Sequence, residues 1–283
     1  MNIKNRSNNR RVLLLYIFLG VSVAVVITFA ALLARELITI KQGQSYYSDL
    51  SAGIERRPAT PGGPSTASPA QPGGEAYNTE NSGGTGNDWV PYVDFDSLDE
   101  RFPGIVGWIK LEGTAIDYPI MHWTDNYYFL GHLPDGTRHR QGSIFIDYRN
   151  SPDFSDKHTK IYGHDSRTQD MFGVLKNYAG QSFFEENPIV RIFTPERDYQ
   201  LMLFAGYHVD SGVEVPPLTF SDDAAFEAYI ADIKSRSIFR SNVEVSADDK
   251  IVSLCTCAAG QPTARLVIVG KLVGFDSRHP SGE

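Results

Sequence analysis

The stretch KIVSLCTCAAGQPTARLVIVGKL, Lys250 to Leu272, holds both cysteines of the chain, Cys255 and Cys257, and one arginine, Arg265. A thiolate attacks carbonyl carbon, and a guanidinium beside it can hold the thiolate charge or donate hydrogen bonds to the oxyanion that attack creates. The cysteines alone leave other readings open. A disulfide between residues two apart on one strand would span about 6.5–7 Å between Cα atoms, near the upper limit of bridge geometry. A structural zinc site wants four ligands, and no second Cys pair or spaced His pair follows. Two buried thiols can also serve simply as small apolar packing. Arg265 weighs toward chemistry, because RLVIVGKL puts a guanidinium into a run that would otherwise make a comfortable buried strand, where an unpartnered Arg is disfavoured. The competing reading is an edge-strand Arg facing water. If the two runs pair antiparallel across AAGQPTA, Ala258 to Ala264, then Cys257 and Arg265 sit side by side at the loop end.

Acyl transfer needs a third group, to protonate a leaving amine and deprotonate an incoming one. His164 in KIYGHDSRTQDMFGVL ends a β-like run where a loop begins, a position from which it can reach over a barrel rim. His122, His132 and His139 also lie near turns, so position alone does not single it out.

These residues need a frame. Eight β-like runs, IVGWIKL, AIDYPIM, GSIFIDY, TKIYGH, PIVRIF, YQLMLFAGYHV, KIVSLCTC and ARLVIVGKLVGF, are rich in β-branched and aromatic residues and parted by turn residues, which predicts a closed or nearly closed β-barrel. Three helical stretches are expected between them: Ser97 to Phe102 behind a Ser97 cap, Met171 to Tyr178, and Ser221 to Phe239 capped by Ser221 or Asp222. In the last, Phe226, Tyr229, Ile230 and Ile233 recur at helical spacing and are expected to pack on the barrel.

Ahead of this domain, Val12 to Ala34 carries no charge over 23 residues, long enough to cross roughly 30 Å of hydrocarbon. It reads as a retained anchor: a cleaved signal's apolar region is shorter, about 7–15 residues. Lys4, Arg6, Arg10 and Arg11 leave residues 1–11 cytoplasmic by the positive-inside rule and put everything after Arg35 outside. Residues 35–88 read as an extracytoplasmic tether, flexible from Pro58 to Asp88, where Pro, Gly, Ser and Thr leave almost nothing to bury, while Glu36 to Arg57 can prolong the helix. Residues 89–276 form the working domain and 277–283 a tail. The net charge of −8, with no basic stripe beyond the first eleven residues, argues against a nucleic-acid partner.

YGHD, Tyr162 to Asp165, with SLCTC and Arg265, resembles the His, TLxTC-type Cys and Arg of a sortase. VDFDSLDERFPGIVGWIKLEGTAIDYPIMHWTDNYYFLGHLPDGTRHRQGSIFIDYRN, Val93 to Asn150, and MFGVLKNY resemble class B sortases in particular. The resemblance covers roughly Val93 to Phe275. It implies a mostly β fold, an eight-stranded barrel with a long helix before the cysteine strand, on a membrane-anchored cysteine transpeptidase of Gram-positive cells. Cys257 would attack the carbonyl after the Thr of a C-terminal sorting signal, Arg265 would stabilise the oxyanion, and His164 would serve the leaving and incoming amines. The partners implied are secreted proteins bearing that signal and a cell-wall amine, with no metal or organic cofactor. Asn126, Leu130, Cys255 and Thr256 would contact the signal. The chain departs from the pattern at Cys255, where relatives carry a hydroxyl, and at Asp165, where Asn commonly follows the His. A papain-like peptidase is the nearest rival, but its C-G-[SA]-C-[WY] signature is missing and here His precedes Cys; a redox module would favour C-x-x-C. A non-catalytic surface protein is the third possibility.

Overall fold

The computed structural model describes residues 3–52, 56–58, 89–91, 93–166, 168–209, 216–257 and 265–275. The central tether, the loop Ala258 to Ala264 and the tail 277–283 lie outside the described residues. Two compact units are present, Met1–Ser48 and Asp49–Glu283.

Helix α1 runs Ile3–Ala52, so the helix expected over 12–34 continues through the first part of the stretch read as tether. Its segment from Leu13 onward is long and apolar enough to cross a membrane. Ser22 and Thr28 return their hydroxyls to the carbonyls of Phe18 and Ala24, four residues back, so neither polar group interrupts the apolar surface. Strands β1 (Arg56–Pro58) and β2 (Trp89–Pro91) pair antiparallel, bringing the two ends of the tether together.

Helix α2 (Phe95–Arg101) starts earlier than expected and Ser97 is not its cap. Asp94 is the cap: its carboxylate accepts from both the Ser97 amide and the Ser97 hydroxyl, and an ionised oxygen beats a hydroxyl at a helix N-terminus. The barrel then follows as β3 (Ile105–Lys110), β4 (Asp117–Met121), β5 (Ile144–Ile146), β6 (His158–His164), β7 (Ile189–Phe193), β8 (Asp198–Val209), β9 (Ile251–Cys257) and β10 (Arg265–Phe275), closed in the order β10-β8-β7-β3-β4-β5-β6-β9. Every expected β-like run is a strand. Only β4/β5 and β6/β9 are parallel.

Ile120, Ile144, Ile161, Leu254 and Ile268 fill the interior and are fully buried. Strand β9 is buried on both faces from Ile251 to Thr256, which is why KIVSLCTC reads as a continuous run and not as an alternation. The outer face is covered by the segment leading into α4 (Asp223–Ser235), which is shorter than the stretch Ser221 to Phe239. Asp222 caps it, accepting from the Ala225 amide, and Phe226, Ile230 and Ile233 face the barrel as their spacing predicts. Beyond Arg236 the chain leaves the helix because the Ile238 amide bonds the Gly206 carbonyl of β8. The stretch expected helical over Met171 to Tyr178 is a 3-10 helix at Gly173–Ala179, since Met171 has φ 51° and cannot belong to a right-handed helix. A short helix α3 (Gln181–Glu186) and a 3-10 turn at Tyr128–Leu130 carry no clear periodicity and were not expected.

Candidate active site

The sheet register assembles the three expected catalytic positions. In the parallel pair β6/β9, His164 lies opposite Cys257. In the antiparallel pair β9/β10, Cys255 lies opposite Val267, and the Thr256 hydroxyl bonds both the amide and the carbonyl of Leu266 at 3.0 and 3.2 Å. One step further along, the same register sets Cys257 opposite Arg265. His164, Cys257 and Arg265 therefore occupy one row across three adjacent strands, each neighbour about 4.5–5.5 Å away at Cα. Residues 164, 257 and 265 are the last or first of their strands, so the row lies at a barrel end. His164 and Arg265 are both partly exposed.

Gly163 is required beside His164 by close packing: a Cβ there would come within 2.5 Å of the Ile144 side chain and the Phe172 ring. Burial is the main influence on the His164 imidazole and holds it below its usual range; Asp165 pulls the other way, Arg140 adds to the lowering and Asp170 opposes it. Neutral imidazole is thus the resting form at neutral pH. The carboxylate of Asp165 is itself paired with Lys176 at 2.5 Å, in a half-exposed ion pair that weakens its pull on the imidazole.

Beneath this row lies a second, Tyr162, Cys255, Val267 and Tyr207, paired in register across β6, β9, β10 and β8. Tyr162 donates to Asp147 Oδ2 at 2.9 Å, and fully buried Asp147 also takes the Arg149 guanidinium on both oxygens and faces Lys160 at 3.9 Å. Burial pushes the Asp147 carboxyl up, but the hydrogen bonds from Arg149 and Tyr162 and the Lys160 charge outweigh it and hold it at about 2. On the other side, the hydroxyls of Tyr207 and Tyr229 meet at 3.0 Å, and Ser253 Oγ lies 2.7 Å from His158 Nε2. His158 Nδ1 lies 2.6 Å from the Pro217 carbonyl, which can only accept, so Nδ1 carries the hydrogen and Nε2 accepts from Ser253. Complete burial lowers His158 to about 3 and keeps it neutral.

Of the residues expected to touch a signal, Leu130 is exposed at the end of its 3-10 turn, and Asn126 is partly exposed, with its Oδ1 accepting from the Tyr148 amide at 2.9 Å. Cys255 and Thr256 are buried, and the Thr256 hydroxyl is engaged by Leu266, so both lie under the floor. Burial pushes the Tyr207 hydroxyl up to about 12, with Cys255 contributing, and the Cys255 thiol itself donates to the Ser253 carbonyl at 3.9 Å. Sequence reading missed Asp147, His158 and Tyr207 and gave Tyr162 and Tyr229 no part in a buried polar network; the signal available for the strand residues was a polar side chain inside a β-like run, as in FIDYR and HTKIY.

A scan against protein-family models finds no match. The chain is 37% identical to the Sortase B of Listeria monocytogenes over 171 residues, 60% of this chain and 70% of that protein. It is 34% identical to the Sortase B of Staphylococcus aureus over 181 residues, 63% of this chain and 74% of that one. Among solved structures, a Staphylococcus aureus sortase B–substrate complex superposes with TM-score 0.62 at 33% identity, covering 64% of this chain and 85% of that chain.

Proposed function

The chain belongs to the sortase B family of transpeptidases, and on that footing we propose the reaction, the residues and the setting. Cys257 attacks the backbone carbonyl after the Thr of a C-terminal sorting signal. Arg265 donates to the oxyanion of the tetrahedral intermediate, where charge develops away from bulk water. His164 takes the proton of the Cys257 thiol, gives it to the departing amine, and later removes one from the incoming amine of a cell-wall precursor. The thioacyl-enzyme is the intermediate, and no metal or organic cofactor enters. The single observation carrying this reading is the sheet register, which pairs His164 with Cys257 and, continued two residues beyond the pair Cys255–Val267, brings Arg265 to the other side of residue 257.

The signal lies along the face bounded by Asn126 and Leu130, with Cys255 and Thr256 shaping the floor from below. Helix α1 crosses the membrane once, with residues 1–11 in the cytoplasm and the barrel outside, joined by the tether that follows α1. Product analysis of the full chain in detergent, on a library of fluorogenic peptides with Thr at the scissile bond, tests the reaction. Peptide joined to added hydroxylamine is the expected product; cleaved peptide at the same rate with and without the amine would mean a hydrolase, and no turnover of any peptide would mean a non-catalytic protein.

A further inference from the structure

The hairpin that follows His164 is held under backbone strain. After β6 ends, the chain returns so that the Phe172 amide donates to the His164 carbonyl at 3.1 Å, and Asp165 makes an isolated antiparallel bridge with Met171. Two residues of the return, Gln169 at φ 60° and Met171 at φ 51°, are in the left-handed region without being glycine. Such conformations persist where the surroundings over-determine them, and they gather at functional sites.

The surroundings here are specific. Met171 is fully buried, and its amide donates to the hydroxyl of Tyr118 at 3.0 Å. Tyr118 sits on β4, two strands away from β6, so the contact reaches across β5. Asp170, next to Met171, accepts from the Thr168 hydroxyl at 2.9 Å and the Gln141 amide group at 3.4 Å. At Gly173 a Cβ would lie 2.2 Å from the Ser166 carbonyl, so the start and end of the return are pressed together.

We infer that Tyr118 is a positioning residue for His164: its hydroxyl fixes the Met171 amide, which fixes the strained return against the end of β6, and so sets the imidazole relative to residue 257. The inference rests on the reading of His164 as the proton carrier. Tyr118 touches neither substrate nor nucleophile in this scheme. Burial raises its hydroxyl far above the usual range, so the contact does not titrate where the enzyme works, and any change in pH profile belongs to the imidazole.

The test compares Tyr118→Phe with Tyr178→Phe in the full chain, on the library peptide the wild type turns over fastest, with hydroxylamine as the amine. Tyr178 is a matched control, since its buried hydroxyl donates to the Asn187 carbonyl at 2.8 Å, outside the hairpin. Tyr118→Phe is expected to lower kcat by about tenfold, keep KM within about twofold and move the acid limb of the pH profile; Tyr178→Phe is expected to leave all three unchanged at a similar loss of thermal stability. Wild-type kcat in Tyr118→Phe, or an equal loss in Tyr178→Phe, overturns the inference. Gln169→Gly covers the case in which Tyr118→Phe does not fold: it relaxes the strain at an exposed side chain, and is expected to keep Tm while kcat falls about twofold or more; an unchanged kcat overturns the inference. His164→Ala runs alongside, and full activity there would overturn the function proposed above instead.

Discussion

Two buried networks support the floor under the proposed catalytic row, and they differ in kind. Toward β5 the network is ionic: Asp147 gathers Arg149, Tyr162 and Lys160 around one carboxylate. Toward α4 it is neutral and directional, running through Tyr207, Tyr229, Ser253 and His158 to the Pro217 carbonyl. An ionic cluster tolerates small shifts, since Coulomb attraction falls slowly with distance, but removing its carboxylate leaves the Lys160 ammonium stranded in the interior, while Arg149 can turn to water. A neutral chain demands good geometry at each link and loses less when one link is cut. The β5 side therefore resists deformation until its carboxylate is removed or protonated, whereas the α4 side fixes the distance between the covering segment and β9.

The largest expected effect lies above both networks. Cys257→Ala, His164→Ala and Arg265→Ala should each abolish peptide transfer while thermal unfolding stays close to wild type, since members of one catalytic unit fail together. Near wild-type turnover in any of them would remove that residue from the row.

The comparison itself is sharpest in stability. Asp147→Asn should cost about 3–5 kcal/mol, because Arg149 and buried Lys160 lose their counter-charge, whereas Ser253→Ala should cost about 1–3 kcal/mol. Urea midpoints measure both, and equal losses would erase the distinction between the networks.

Acid should also separate them. His158 titrates at about 3 against an ordinary 6.5, so the unfolded chain takes up its proton first and stability falls as pH drops from about 6.5. Asp147 titrates at about 2 against an ordinary 3.8, so its contribution is complete above that value and lost only below it. Replacing His158 by Gln should flatten the pH dependence of the urea midpoint between about 6 and 4 and leave the steeper fall below 4 in place. A wild-type slope in that interval would show that His158 is not held neutral by the fold.

Smaller effects are expected at the two departures from the family pattern. Cys255→Ser should remain an active transpeptidase, because the buried thiol donates to the Ser253 carbonyl and a hydroxyl can take the same acceptor. After mild peroxide it should recover less than wild type on reduction, since the thiol one row below Cys257 can capture the sulfenic acid as a disulfide and spare it further oxidation. Equal recovery would leave Cys255 as packing only. Asp165→Asn should have the least effect, lowering the acid limb of the activity profile, because Lys176 already balances much of that carboxylate. An upward shift would contradict the assignment of Asp165 as the group that raises the His164 imidazole.

The eight strand segments were legible from β-branched and aromatic runs, and the face of α4 from the spacing of Phe226, Ile230 and Ile233, because side-chain burial in a strand or helix follows local periodicity. The family was legible from YGHD, SLCTC and Arg265, since the order and spacing of reactive residues survive in one dimension. Cap and turn details were less so: the Ser97 cap failed because Asp94 caps the helix three residues earlier and takes the Ser97 amide and hydroxyl itself, and the helix expected from Met171 failed because Met171 sits at φ 51° with its amide held by the Tyr118 hydroxyl. What only tertiary structure decided is the register that lines up residues 164, 257 and 265, and the buried partners of Asp147, His158 and Tyr118. Those partners come from strands distant in sequence, and a buried carboxylate, imidazole or phenol takes its role from whichever polar group the closed barrel brings within hydrogen-bonding distance once water is gone.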